Sequence, residues 1–120
     1  MSPGITEAGF IKFDEFANYM YFFEVYETQD VSFKVNLNVI SGDADLYLYS
    51  CRDIANCQID KEKINDKKID KVENSQSQKS IQKNFKCINK TEKIKACKFA
   101  IAVKGKENHG THYDISLTEN

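Results

Sequence analysis

The chain has 120 residues, 41% of them hydrophobic, and a net charge of −1 from 17 basic and 18 acidic side chains. A single domain of this length buries roughly two-thirds of its unfolded surface, and eight Phe and six Tyr supply much of the core volume. The balanced charge offers no field to draw in nucleic acid or an anionic membrane, and all but one of the basic residues are lysines, whereas planar phosphate recognition leans on arginine.

Residues 1–9, "MSPGITEAG", have neither the basic nor the apolar region of a signal peptide and read as a lead-in or cloning remnant; the domain is assigned to residues 10–118. "FIKFDEF" suggests a short lead-in strand, and "YMYFFEVYE" a strand with Tyr21, Phe23 and Val25 on one parity. "VSFKVNLNV" alternates fully: Val31, Phe33, Val35, Leu37 and Val39 share one face, and Ser32, Lys34, Asn36 and Asn38 the other. That pattern predicts a half-buried strand. After the Ser-Gly break, "DADLYLYS" turns Leu46 and Leu48 inward and leaves Asp45, Tyr47 and Tyr49 on the opposite face.

Residues 60–80, "DKEKINDKKIDKVENSQSQKS", are polar and Lys-rich. Ile64, Ile69 and Val72 make only a thin stripe, so a flexible, solvated insertion is expected. "CKFAIAVKG" directs Cys97, Phe99, Ile101 and Val103 inward, and "THYDISLT" does so with Tyr113, Ile115 and Leu117. The intervening "KGKENHG" has hairpin-loop chemistry. Short alternating strands and a single proline predict an all-β, single-domain antiparallel β-sandwich interrupted by one insertion. No apolar run approaches the ~20 residues of a transmembrane segment.

The four cysteines fall as Cys51 and Cys57, then Cys87 and Cys97. An even number in a small domain suggests disulfides in an oxidising compartment, and the local pairs Cys51–Cys57 and Cys87–Cys97 are expected. Free thiols are the alternative; zinc knuckles need tighter spacings. The sequon at Asn89 lies between the second pair and suits a glycosylated loop of a secreted protein.

Asp43 and Asp45 admit two readings. Short carboxylates hold turns by accepting backbone N–H groups two residues on. Loop aspartates also hold calcium, which takes six to eight oxygens, with Asp14, Glu15 and Asp30 as further acids. Neither aspartate has the nucleophile or histidine partner of a catalytic set. His109 and His112 flank a loop without a third ligand, and nothing in the sequence places a base beside Cys51. No catalytic residue and no required cofactor are expected. Tyr47 and Tyr49 stand about 7 Å apart on the face away from Leu46 and Leu48. They form a candidate ligand platform, to which Asn36 and Asn38 add hydrogen bonds if the two strands pair. The alternative is that the insertion or the Cys51–Cys57 loop covers both tyrosines and makes them structural.

The order "YFFEV", "VSFKVNLNV", "SGDADLYLY", and then "FAIAVKG" with "THYDISL", resembles the bacterial pre-peptidase C-terminal domain, related to the collagen-binding domains of clostridial collagenases. The match covers roughly residues 10–50 and 97–118; the cysteine pairs and the insertion depart from it. The resemblance implies a jelly-roll-type sandwich attached to secreted proteins, non-catalytic, serving adhesion, targeting or processing, with calcium bound in some members. The expected function is therefore an extracellular recognition or adhesion module of a larger protein, its ligand a glycan, a matrix protein or a neighbouring domain. A small stand-alone secreted inhibitor or assembly subunit is the second reading.

Overall fold

A computed structural model describes residues 1–25, 29–51, 58–87 and 95–119 of the chain. Eight strands follow in order: β1 (Thr6–Ile11), β2 (Phe16–Val25), β3 (Gln29–Ser41), β4 (Ala44–Cys51), β5 (Asp70–Val72), β6 (Gln78–Cys87), β7 (Lys95–Gly105) and β8 (Thr111–Glu119). They build two four-stranded sheets, the first in the order β1-β8-β3-β6 and the second β2-β7-β4-β5. All pairings are antiparallel. Among the described residues, β4 and β5 are the only consecutive strands that pair; each other pair of consecutive strands is divided between the two sheets.

The period-2 pattern explains the core. Phe33, Val35, Leu37 and Val39 of β3 are buried against Leu46 and Leu48 of β4, Phe99, Ile101 and Val103 of β7, and Ile115 and Leu117 of β8. Aromatic rings from both sheets interlock at its centre. Phe33 and Phe99 lie 4.7 Å apart edge-on, Phe85 and Phe99 5.3 Å, and Tyr21 and Phe33 5.2 Å. Two hydroxyl contacts tie the sheets together: Tyr19 and Tyr113 meet at 2.8 Å, and Tyr21 donates to Glu119 at 2.6 Å. Burial, reinforced by these partners, pushes the Tyr21 and Tyr113 hydroxyls well above the usual tyrosine range, so both remain protonated.

Four expectations change. "KGKENHG" does not close a hairpin, because β7 belongs to the second sheet and β8 to the first. For the same reason β3 and β4 do not pair. The corner between β3 and β4 turns at Gly42, whose φ of +93° favours glycine. A Cβ there would also stand 2.5 Å from the Thr111 hydroxyl. At the N-terminus, β1 begins at Thr6 and ends at Ile11, so residues 6–9 belong to the sheet and 12–15 form a corner.

The fourth change concerns residues 60–80, which are not one featureless loop. They carry a 3-10 turn (Lys63–Asn65), strand β5 and the start of β6. Ile69 is buried with Ile59 in a second cluster on the outer face of the second sheet, together with Tyr47, Ala100 and Ala102. Asn18 fastens this cover to β2: its amide donates to the Ile59 carbonyl at 3.1 Å and accepts the Ile59 N–H at 2.8 Å. A few isoleucines at the right places suffice to anchor an otherwise polar segment.

Candidate functional site: the polar face of the first sheet

Asp43 holds its corner with its backbone. Its carbonyl accepts the Thr111 hydroxyl at 2.8 Å and the Lys106 N–H at 2.9 Å, while its N–H donates to the Thr111 oxygen at 3.1 Å. The side chain instead faces the Lys79 ammonium at 3.7 Å. Lys79 is itself buried and donates to the Gln76 carbonyl at 2.5 Å.

Asp45 lies on the outer face of the second sheet and is only 1% exposed. One of its oxygens accepts from Tyr47 at 3.4 Å and faces Lys106 at 3.5 Å; the other has no hydrogen-bond partner. Burial raises its pKa, and Lys106 only partly opposes the shift. The Tyr47 hydroxyl makes its shorter bond, 2.8 Å, to Glu73, and this bond holds the Glu73 carboxyl below its ordinary range.

Because the folded pKa of Asp45 is raised, the stability linked to its proton is full below the unfolded value of ~3.9 and is lost as pH rises through the folded value. Asp45→Asn abolishes this loss. The melting temperature of the variant relative to the parent should therefore climb between pH 4 and pH 7. A difference that stays flat across that range would show that burial does not perturb Asp45.

Of the two arrangements open to the tyrosine pair, the covered one is present: the segment carrying Ile59, Ile64 and Ile69 packs against it. Tyr47 is wholly buried, and Tyr49 packs at the edge of the same cluster, with the Lys63 ammonium 5.4 Å from its ring. Asn36 and Asn38 lie on the other sheet, so the four residues do not share a surface. Asp14, a further acid, is engaged by Lys61 and Lys104. Among the described residues, no group of three or more His, Cys, Asp or Glu side chains is arranged to hold a metal ion. Cys57 and Asn89 lie outside the described residues.

What the fold does assemble is the outer face of the first sheet. Two rows of side chains cross all four strands: Thr6, Ser116, Asn36 and Ser80, then Ala8, Asp114, Asn38 and Gln78. Neighbouring members are about 4.8 Å apart, the strand spacing. A trough of about 550 Å3 is lined by these residues, Ala8 excepted, and by Lys34, Leu37 and Lys79. Lys34 and Asp114 are the charged side chains that this outward parity brings to the trough.

At one end the next row holds Phe10 opposite His112. Their ring centres are 4.6 Å apart, and Phe10 keeps 51% of its surface exposed. Sequence reading reached Asn36 and Asn38 through their outward parity. It missed Gln78 and Ser80, because β6 was hidden in the polar insertion, and Phe10, because nothing in the sequence tells which face of an edge strand stays open. Compared with known proteins, the chain matches no family model and no curated protein.

Proposed function

We propose that the chain is a non-catalytic, extracellular recognition module of a larger secreted or surface protein, and that its ligand lies in the trough on the outer face of the first sheet. One observation carries the reading. Amides and hydroxyls from four different strands, Asn36, Asn38, Gln78 and Ser116 among them, converge on one open trough. Its volume lies within the ~300–1,000 Å3 range of ligand sites. The face forms a concavity in which several groups reach one ligand together.

The non-catalytic part rests on where the perturbed groups are. Among the described residues, Asp45, Tyr47 and Glu73 are linked through the Tyr47 hydroxyl on the other sheet, Tyr21 and Tyr113 join the two sheets, and Asp14 is paired with Lys61 and Lys104. None of them lines the trough. Binding there calls for no cofactor, and calcium at Asp43 and Asp45 would have to displace the ammonium groups of Lys79 and Lys106. The strand orders β1-β8-β3-β6 and β2-β7-β4-β5 favour a jelly roll, the fold implied by the resemblance to pre-peptidase C-terminal domains.

Secretion fits the cysteines. No cysteine is free among the described residues. Cys97 packs against the core between the sheets, whereas Cys51 packs in the cluster on the outer face of the second sheet. Two residues on opposite faces of one sheet cannot bridge, which leaves Cys57 and Cys87 as partners and favours the pairs Cys51–Cys57 and Cys87–Cys97. Peptide mapping without reduction should recover those two links; a Cys51–Cys87 peptide would refute the pairing. A glycan at Asn89 belongs to the same secreted reading.

The double change Asn38→Arg and Gln78→Arg tests the binding face, because it fills the trough at exposed positions. The melting temperature should hold within the ~0.5 kcal/mol usual for surface changes, while capture on an array of glycans and matrix proteins is lost. Unchanged capture would rule the trough out.

A further inference from the structure

Resting on that placement of the binding face, we propose that its ligand is an uncharged oligosaccharide, with one sugar ring stacked on Phe10 and the following rings hydrogen-bonded along Asn38, Gln78 and Asn36. Phe10 is set up for stacking. Its ring lies over Gly110, where an added Cβ would come within 2.2 Å of it, and beside His112 at 4.6 Å. These contacts fix one side of the ring, and half of its surface stays open to solvent. The row of Asp114, Asn38 and Gln78 begins two residues further along the strands, about 7 Å away. An apolar surface and a line of amides therefore meet at the distance that separates adjacent parts of one extended ligand.

The chemistry of the face selects among ligands. Carboxamides and hydroxyls both donate and accept, as sugar hydroxyls do. The apolar C–H face of a pyranose ring suits an aromatic plane that is open on one side. Lys34 and Asp114 bring one charge of each sign to the trough, and the third charged residue of its lining, Lys79, is buried with its ammonium held by the Gln76 carbonyl and Asp43, so the exposed charge balances. A sulfated or uronic-acid glycan would call for a cluster of cations with bidentate geometry. A protein partner would call for an apolar anchor at the centre of its footprint, and here the apolar group stands at one end.

The probes are linear hexasaccharides of glucose, N-acetylglucosamine, mannose, galactose and xylose, a heparin hexasaccharide, and a collagen-like triple-helical peptide. Each is titrated calorimetrically into the full chain. At least one neutral hexasaccharide should bind. Phe10→Ala should weaken it about tenfold, the loss of one ring-stacking contact together with its buried area, and Phe10→Trp should retain it. The pair Asn38→Ala and Gln78→Ala should abolish binding, with thermal melts confirming that each variant is folded. Binding of heparin or the collagen-like peptide instead, lost in the Asn38 and Gln78 variant, would overturn the neutral-glycan assignment and leave the face standing. Binding of any probe that survives all of these changes would overturn both. No binding of any neutral hexasaccharide at millimolar concentration would overturn the assignment alone.

Discussion

Replacing Phe99 with alanine should lower the melting temperature by roughly 10–25 °C, corresponding to a loss of about 3–5 kcal/mol. Phe99 is completely buried on β7 and meets Tyr21 of its own sheet as well as Phe33 and Phe85 of the facing one. Alanine would remove the ring that both sheets share and leave a cavity that three neighbouring rings cannot fill without leaving their own contacts. Differential scanning calorimetry measures the effect. A drop of only a few degrees would mean that the sheets do not pack face to face through this cluster.

The second large effect is expected at Tyr47→Ala, about 3–4 kcal/mol. The ring is the centre of the second cluster, between Ile59 and Ile69 of the covering segment and Ala100 and Ala102 of β7. Its hydroxyl holds Glu73 at 2.8 Å and is the donor to Asp45. Without it Asp45 would be buried with only the Lys106 contact, and residues 58–73 would lose their anchor. Limited proteolysis should then cut that segment faster, at the exposed Lys61, Lys67 or Lys68. Unchanged melting combined with lost ligand capture would restore Tyr47 as a binding platform.

The sequence made the strands legible wherever alternation was strong. Val31 to Val39, Leu46 to Tyr49, Phe99 to Val103 and Tyr113 to Leu117 all occupy strands with the expected inward sets. Alternation states which face is buried but not which sheet a strand joins, so it left the pairing of β3 with β4 open and let the crossing from β7 to β8 read as a hairpin. The corners at Gly42 and Gly110, both with φ near +90°, have the chemistry of hairpin loops and of crossings between sheets alike.

Strand β6 was hidden for another reason. Four of its inward positions are Lys79, Ile81, Lys83 and Phe85, and the lysines break the pattern. The structure satisfies them individually: Lys79 through Gln76 and Asp43, Lys83 through Asp70 at 3.0 Å. A buried lysine with a carbonyl and a carboxylate at hand is tolerable, but composition alone reads it as solvated. The same blind spot hid one side of the trough, since Gln78, Lys79 and Ser80 stand on that strand. Asn36 and Asn38 were found by parity, and only the pairing of β3 with β6 and β8 shows what stands beside them.

The most direct test of the binding face is a backbone amide map by NMR, recorded while the best-binding ligand of the array is titrated in. The shifts should concentrate at residues 6–10, 34–38, 78–82 and 112–116, the four strands of the first sheet where they border the trough. Shifts concentrated instead on β4, β5 and residues 58–69 would place the ligand on the second sheet and contradict the account.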